Sequence, residues 1–564
     1  MEIDNIIRQL GLKNALDYKG RANPGAIMGK VLAAHPEWKE KRGELMSKIN
    51  IIIGEVNKLS LDDQRAELES SAPEMLEKKK KEERDIFAFL GIAEGTTVVT
   101  AFPPGPEKYP HIGHAKSLLL NHMLAQKFGG KFILRFEDTN PKTVQGVFYE
   151  VMQENFAWLS VSWDSLVYAS DHMDTFYAHC ETVLGVGDAY VCNCDFDKVK
   201  LSRENGVACE CRDRSSAENL EMWESMKKDV PEGHAIVRLK IDLKHKNSTM
   251  RDPTIFRIIE QKHARHEDKY RVWPNYDWQN AIMDSELGVT NRIRTKEFEL
   301  RSELQRHVQE LLGLASTRTY EIGRFNLVGV ESSGRVIREK IENGSLVGWD
   351  DPTLTTIVAL RRRGFLPEAI KNFVVSTGIS KAEATLTWDD LIIHNKRLLD
   401  AESDRYFFVA EPVELWVKGA GEEEVELNLH PEHRKGGRKF LTGDNFFVAK
   451  TDMDSLEEGK MYRLMDCLNF RKQADGFEFD SREVDRYKEH GEKVMHWLPK
   501  SDELVPVEVM MPDKNVVAGL AEKTVLNVSE GDVIQFERFG FCRLDKKEKN
   551  DDGKEKLVFW YTHK

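Results

Sequence analysis

The spacing of hydrophobic and polar positions changes twice along the chain and divides it into three parts. Up to about residue 85, apolar residues recur at helical intervals, as Leu45, Ile49, Ile52 and Val56 do, which predicts amphipathic helices. From Thr97 to about residue 402, β-branched runs alternate with helical spacing, which predicts a doubly wound parallel sheet. Beyond residue 403 the apolar runs shorten and polar turns separate them, which predicts β-barrels.

The second part opens with a strand–loop–helix–strand unit in the stretch Thr97–Pro141. A β-branched run at 97–100 predicts the strand, and a loop rich in proline and glycine follows it. Five apolar residues between 118 and 124 predict the helix, which Gly129 and Gly130 end before the apolar run 132–136. Ligands of such sheets bind beyond the carboxyl ends of the strands, so this loop is the first candidate site.

Two histidines, His111 and His114, stand where the loop meets the helix. They can donate hydrogen bonds to a polyphosphate, and the helix N-terminus adds free N–H groups and partial positive charge. Gly113 lets a ligand approach the backbone closely. The pattern indicates a phosphate-binding site, and the alternative from the residues alone is a pair of histidines that cap a loop.

The pattern of the α/β part is interrupted at 188–272, which indicates an insertion. Further strands are predicted at 235–241, 289–294 and 320–327, helices at 145–159, 172–186, 278–287 and 300–312, and a polar loop at 331–340. The insertion carries Cys192, Cys194, Cys209 and Cys211, two close pairs separated by fourteen residues. Four thiolates suit tetrahedral zinc, although a C-x-C pair is tighter than the usual C-x₂-C. The alternative is four reduced structural cysteines.

Composition narrows the class of protein. A chain of 564 residues is too long for one core, so several domains are expected. The formal net charge of −13 argues against coating nucleic acid along the whole surface, but a local basic groove is compatible with it. Seven cysteines make no disulfide framework. Without a long apolar run or a signal pattern, we expect a cytoplasmic protein without a membrane partner. The charged run Lys78–Arg84 favours a solvated segment.

Longer motifs identify a family. The sequences FPP, HIGHAKS, LRFEDTNP, KYRVWPNYDW, ELGVTNRIRTKEFELR, RFNL and GWDDPTLTTIVALRRRG follow one another with characteristic spacing across most of 96–365. Together they resemble the class I aminoacyl-tRNA synthetases, in particular the glutamyl/glutaminyl branch. The N-terminal ANPGAIMGK resembles the extension of the archaeal-type glutamyl enzymes, and the β-rich end resembles the two anticodon-binding barrels of that branch.

The resemblance implies a multidomain α/β protein with a Rossmann-like, doubly wound nucleotide-binding domain. The expected domains are an N-terminal helical extension at 1–95, the catalytic halves at 96–187 and 273–345, and an inserted acceptor-stem-binding domain at 188–272 with a possible zinc site. A helical connector at 346–402 and all-β anticodon-binding barrels at 403–564 complete the order.

The resemblance also assigns roles to residues. It implies catalytic roles for His111, His114 and Arg335, ATP contacts for Pro104, Gly113, Thr295 and Arg324, an amino-acid pocket formed by Glu137, Tyr276 and Arg294, and zinc at Cys192, Cys194, Cys209 and Cys211. A guanidinium can bind a γ-carboxylate bidentately, and the glutamine enzymes of the branch place a small neutral residue at this position. Arg294 therefore favours glutamate over glutamine.

The implied activity is activation of L-glutamate by ATP and Mg²⁺ to glutamyl-adenylate, followed by transfer to the 3′ end of tRNA(Glu), and tRNA(Gln) remains an open second partner. A monomer is expected. Two alternatives stay open: a non-catalytic or weakly active tRNA-binding paralogue, and a glutaminyl-tRNA synthetase.

Four departures from the family pattern motivate the first alternative. Ala101 stands where the family has an arginine that meets the carboxylate of the substrate. The loop Gly105–Pro110 is remade, and its Lys108 could resupply a charge that Glu107 counters. The mobile lysine loop is represented by SSGR, with Gly334 at the expected lysine and Arg335 beside it, and Thr353 replaces a further family arginine.

Overall fold

A computed structural model describes residues 2–18, 20–76, 85–550 and 552–564. The chain divides into two compact units whose sequence boundary lies between Asp85 and Ile86. The charged run Lys78–Arg84 lies outside the described residues. Within the described ranges, no helix combines the length and the apolar character that crossing a membrane requires.

The first unit is helical, as predicted. Its helices are α1 (Glu2–Asp17), α2 (Pro24–Ala34), α3 (Arg42–Val56) and α4 (Leu61–Ser71). Four residues of α3 at helical spacing, Leu45, Ile49, Ile53 and Val56, are buried in the core of this unit. Helix α2 begins at Pro24 because the side chain of Asn23 accepts hydrogen bonds from the first free backbone N–H groups.

The second unit opens with the predicted β–α–β–α order. Its first elements are β1 (Val99–Phe102), α5 (Ile112–Lys127), β2 (Lys131–Phe136), α6 (Val147–Trp158), β3 (Ser165–Tyr168) and α7 (Met173–Val186). The strands are parallel in the order β1–β2–β3. Five of the six residues of β2 are buried, as expected for a central strand that is covered on both faces.

The insertion forms an antiparallel sheet of its own. It contains β4 (Ala189–Cys192), α8 (Phe196–Asn205), α9 (Ser216–Met226), β5 (Ile236–Leu239), β6 (Thr254–Ile258) and β7 (Val272–Pro274). The strand order is β4–β5–β6–β7. The segment that was predicted to interrupt the parallel sheet therefore forms a separate sheet, whose strands are antiparallel.

The parallel arrangement resumes after the insertion. The elements are α10 (Tyr276–Glu286), β8 (Asn291–Thr295), α11 (Glu299–Leu311), β9 (Arg318–Ile322), β10 (Phe325–Leu327) and α12 (Gly334–Glu342). Strands β8 and β9 are parallel. The N–H of Thr290 donates to Val99 O at 3.0 Å, which brings the start of β8 beside β1. The carboxyl ends of β1, β2 and β8 thus lie at one edge.

Two details in this region differ from the sequence prediction. The single strand predicted at 320–327 is two strands, because the chain at Gly323 approaches a neighbouring backbone so closely that a Cβ there would lie 2.0 Å from Ala382 O. The prediction of a polar loop at 331–340 was wrong from Gly334 onwards, where helix α12 begins. Ile337 of this helix is buried against Leu354 and Ala359. This apolar contact stabilises a helix although most of the residues at 331–340 are polar.

A helical connector follows, as predicted. It contains α13 (Ile357–Arg363), α14 (Pro367–Thr377), β11 (Ala384–Leu386) and α15 (Trp388–Glu402). Strand β11 pairs with β10 in parallel. Helix α14 begins with Pro367, whose fixed φ suits the first position of a helix.

The remainder of the chain is β-rich. Its elements are β12 (Arg405–Tyr406), β13 (Phe408–Ala410), β14 (Pro412–Lys418), β15 (Glu423–His430), β16 (Arg434–Thr442), β17 (Asn445–Ala449), α16 (Lys450–Met453), β18 (Met461–Leu464), β19 (Asn469–Gln473), β20 (Gly476–Ser481), α17 (Val484–His490), β21 (Gly491–Met495), β22 (Leu498–Pro499), β23 (Val505–Met510), β24 (Val516–Ala521), β25 (Val533–Phe536), β26 (Gly540–Lys549) and β27 (Glu555–His563).

Two seven-stranded sheets account for most of these strands. One has the order β21–β18–β19–β20–β14–β17–β22, and the other has the order β12–β25–β26–β27–β23–β24–β13. Each sheet wraps a hydrophobic core of its own, as expected for the predicted barrels. Strand β14 shows the reason: Leu415 and Val417 are buried while Trp416 between them is exposed.

Candidate active site

The two histidines of the loop hold each other and the helix start in one geometry. His111 is the N-cap of α5, and its Nδ1 accepts a hydrogen bond from the N–H of Gly113 at 3.0 Å. Nδ1 of His114 accepts from the N–H of His111 at 3.1 Å. A neutral imidazole that accepts at Nδ1 carries its proton at Nε2. Both rings, whose centroids are 4.0 Å apart, therefore have an Nε2–H left to donate.

Both histidines are held in the neutral form. Burial, together with the charge of Lys108, lowers the pKa of His111 to about 3. Burial also lowers the pKa of His114 well below its usual range, and His111 and Lys108 add to the effect. At neutral pH the pair therefore offers two N–H donors rather than two cations. Gly113 is needed for this arrangement, since a Cβ there would lie 2.7 Å from His111 Cε1.

The other predicted nucleotide contacts lie at the same edge of the sheet. Pro104 O accepts from the N–H of Glu137 at 3.0 Å, which joins the ends of β1 and β2. Glu297 accepts from Thr295 Oγ1 and from Arg324 Nη1, both at 2.8 Å. Thr295 and Arg324 are therefore held together by one carboxylate, and their contact with ATP stays a prediction.

Glu137 belongs to a buried charge network that sequence reasoning missed. Arg135 lies between Glu137 and Asp284, with Nη atoms 2.8 Å from an oxygen of each. Asp284 also pairs with Arg292, and Glu137 accepts from Gln279. Burial raises the pKa of Glu137, and Arg135 opposes that shift. The only available signal was a lone arginine inside the apolar strand run 132–136.

Arg294 is the exception in this network because it makes no ion pair with any described residue. Its side chain is buried, with the residue 7% exposed. Nη1 donates to Gln305 Oε1 at 2.8 Å, and Nη2 donates to Tyr276 OH at 2.9 Å. The ring of Phe298 lies 4.4 Å from its guanidinium carbon. A buried guanidinium held only by neutral acceptors favours an incoming carboxylate.

The charges of the pocket do not balance without a ligand. Three buried guanidiniums, those of Arg135, Arg292 and Arg294, face two buried carboxylates, those of Glu137 and Asp284. The neighbouring carboxylate of Asp277 is already paired with Arg301 at 2.8 Å. The pocket therefore has an excess of one positive charge, which one bound anion would balance.

Three predicted or altered positions do not join the histidines. Arg335 lies on the surface of α12, with its side chain 82% exposed and paired with Glu339 at 3.3 Å. Ala101 packs into a small apolar cluster with Ile133 and Val289. Thr353 closes a turn on Asp351. The contact of Arg335 with ATP stays a prediction.

The four cysteines of the insertion form one cluster. Their Sγ atoms all lie within 4.8 Å of one another, and the pairs Cys192–Cys209 and Cys194–Cys211 are 3.9 and 3.7 Å apart. None of them forms a disulfide. The tips of β4 and of the turn before α9 bring the two pairs together.

Comparison with known proteins agrees with this geometry. Residues 97–401 match the family model described as the catalytic domain of class I tRNA synthetases (E and Q), and 403–487 and 494–545 match two models of the anticodon-binding domain of that family. The chain is 41% identical to the glutamate–tRNA ligase of Pyrococcus abyssi, with all of both chains covered. It is 37% identical to that of Methanocaldococcus jannaschii, with 99% of each covered.

Among solved structures, a glutamate tRNA ligase from Elizabethkingia meningosepticum aligns over 55% of this chain and 70% of its own, at 19% identity and a TM-score of 0.42. The chain belongs to the class I tRNA synthetases of the glutamyl and glutaminyl (E and Q) family.

Proposed function

We propose that the protein uses ATP and Mg²⁺ to activate L-glutamate to glutamyl-adenylate and then transfers the glutamyl group to the 3′ end of tRNA(Glu). The observation that carries the proposal is the buried guanidinium of Arg294, which has no carboxylate partner among the described residues. The relatives named glutamate–tRNA ligase over the full length support it.

The substrate follows from the charge of the pocket. The γ-carboxylate of glutamate would bring the missing negative charge and accept two parallel hydrogen bonds from Arg294. The neutral amide of glutamine would leave the guanidinium buried without an anion, which is costly in a desolvated site. Tyr276 and Gln305 hold the guanidinium in place, so the fork is oriented before the substrate arrives.

The same edge of the sheet serves ATP. The Nε2–H groups of His111 and His114 donate to phosphate oxygens, and Gly113 and Pro104 let the nucleotide approach the backbone. The α-carboxylate of glutamate attacks the α-phosphorus, so no side-chain nucleophile is needed. Catalysis rests on positioning and on stabilisation of the charge that develops on the phosphates.

A second candidate, a tRNA-binding protein without activation chemistry, is favoured by one specific observation. Ala101 is packed between Ile133 and Val289, so no cation stands at that point of β1. The exposed position of Arg335 is consistent with the same reading.

A tRNA-dependent exchange of pyrophosphate into ATP separates these functions. We expect exchange with glutamate that exceeds exchange with glutamine by about 10³-fold or more, because the site recognises a buried charge. Charging of tRNA(Glu) and tRNA(Gln) transcripts with labelled glutamate then shows which tRNAs are accepted. Exchange with glutamine alone would overturn the substrate proposal. Exchange with neither amino acid, together with retained tRNA binding, would establish the second candidate.

We also propose a structural zinc ion in the insertion. Four sulfurs bound tetrahedrally at about 2.3 Å from zinc lie about 3.8 Å from one another, and the two Sγ pairs are 3.9 and 3.7 Å apart. Four thiolates around zinc carry two negative charges in excess. Burial raises the pKa of Cys192, and the charge of Arg238 opposes it. Both Nη atoms of the buried Arg238 lack hydrogen-bond partners among the described residues, which fits a cation that balances such a centre.

Purified wild type is expected to contain about one zinc per chain, and Cys209→Ser to lose most of it. Elemental analysis of the dialysed proteins measures this, and circular dichroism confirms folding. Cys467→Ser, which changes a buried cysteine of the β-rich part, is the matched control and should keep the metal. Equal zinc content in wild type and Cys209→Ser would contradict the assignment.

A further inference from the structure

The loop between Pro104 and His111 is fastened at several points. The side chain of Thr143 donates to the carboxylate of Glu107, and Arg338 donates to Glu107 O at 3.1 Å. The ring of Tyr109 stacks on Trp349 with centroids 5.3 Å apart. Pro110 O accepts from the N–H of Ile357 at 2.8 Å. Lys108 lies in the middle of these contacts, so its backbone is held from both sides.

The ammonium of Lys108 has no ion pair or hydrogen bond with any residue in the described part of the chain, although the side chain is half-buried. Its charge reaches His111 and His114, whose pKa values it lowers along with burial. The carboxylate of Glu107 acts on Lys108 at a distance but forms no ion pair with it among the described residues, and it accepts a hydrogen bond from Thr143 instead. A cation without an ion-pair partner among the described residues therefore stands close enough to the two histidines to act on both of them.

Helix α12 is shaped to admit the side chain of Lys108. A Cβ at Gly334, the first residue of α12, would lie 2.7 Å from Lys108 Cδ and 3.5 Å from its Cβ. Any other residue at 334 would push against the aliphatic part of Lys108. The same helix contributes Arg338, which holds the backbone of Glu107. Gly334 and Arg338 thus act on the same stretch of loop.

We propose that Lys108 is the phosphate-binding cation of the site, supplied by the loop rather than by α12, and that Gly334 keeps the space its chain needs. With the Nε2–H groups of His111 and His114 it forms a three-donor cradle for the triphosphate and for the pyrophosphate that leaves. The inference rests on the proposed function for its ligand. It also explains how a site with an exposed Arg335 retains a positive charge where the phosphates bind.

Lys108→Met approximately keeps the length of the side chain and removes its charge. We expect a drop of about 10²-fold to 10³-fold in kcat for tRNA-dependent pyrophosphate exchange with glutamate, because a charge that stabilises the transition state is lost. Lys108→Arg should recover at least a tenth of wild-type exchange. Lys131→Met, at the exposed start of β2, is the control, and its kcat should equal that of wild type. The unfolding temperature of every variant should also equal that of wild type.

A second readout does not depend on activity. ATP should raise the unfolding temperature of wild type and of Lys131→Met but shift that of Lys108→Met far less. If wild type catalyses no exchange, the proposed function fails, and the ATP-induced shift alone decides the inference. If wild type and Lys108→Met exchange equally, the inference is overturned while the proposed function stands.

The role of Gly334 is tested by a double-mutant cycle. Gly334→Ala should lower exchange by at least about 10-fold in the wild-type background, because it displaces Lys108 by roughly the ångström on which such positioning depends. In the Lys108→Ala background the same change should have no further effect, since the aliphatic chain it would meet is gone. Equal effects of Gly334→Ala in both backgrounds would overturn the spatial part of the inference.

Discussion

Replacing Arg294 with methionine is expected to lower kcat/KM for glutamate in pyrophosphate exchange by about 10³-fold or more, equivalent to the loss of a desolvated, bidentate charge pair. The value for glutamine, low in wild type, should change much less. Arg294→Lys keeps the charge but loses the planar fork, so it should retain an intermediate activity. Steady-state exchange at saturating ATP and tRNA, with the concentration of glutamate or of glutamine varied, measures kcat/KM for wild type and both variants.

The same substitution has a diagnostic effect on stability. Arg294 has no carboxylate partner among the described residues, so its removal strands no buried anion. We expect the unfolding temperature of Arg294→Met to equal or exceed that of wild type, which separates loss of binding from loss of folding. Arg397→Met, at an exposed position of α15, is the control. Unchanged glutamate kinetics in Arg294→Met would refute the assignment of the pocket.

The parts of the fold that sequence reasoning predicted are those specified by local patterns. The apolar spacing of α5 and the glycines after it predict a helix and its end, and the two histidines mark the loop before it. Arg294 could be placed in a pocket because it lies at the end of a predicted strand and within a long family motif.

The missed parts depend on contacts between distant segments. Arg135 and Asp284 are 149 positions apart, and only the folded sheet shows that one carboxylate serves Arg135 and Arg292 together. Nothing in the sequence near Lys108 indicated that Thr143, 36 positions after Glu107, donates a hydrogen bond to the Glu107 carboxylate. Helix α12 was assigned to a polar loop because its burial rests on Ile337 meeting residues further along the chain.

Asp284→Asn is expected to lower the stability of the second unit strongly. Asp284 is 1% exposed and accepts charge-assisted hydrogen bonds from Arg135 and Arg292. Its neutralisation leaves three buried guanidiniums with the single carboxylate of Glu137. Breaking a buried pair by removing one partner costs about 3–5 kcal/mol. Differential scanning calorimetry should show the transition of this unit several degrees lower, and Asp502→Asn at an exposed loop position should leave it unchanged.

The double variant Asp284→Asn/Arg292→Met decides whether charge or packing is responsible. If unpaired charge is the cause, removing Arg292 as well changes the three cations and one anion of Asp284→Asn to two cations and one anion. The excess of one positive charge is then the same as in wild type, and part of the lost unfolding temperature returns. If the effect came from packing alone, a second buried substitution would lower it further. Glutamate should stabilise Asp284→Asn more than it stabilises wild type, because an anion bound at Arg294 then relieves a larger excess of positive charge. The network that supports the pocket and the cation that selects the substrate are thus one electrostatic system, in which Asp284 sets how strongly the empty site favours an anion.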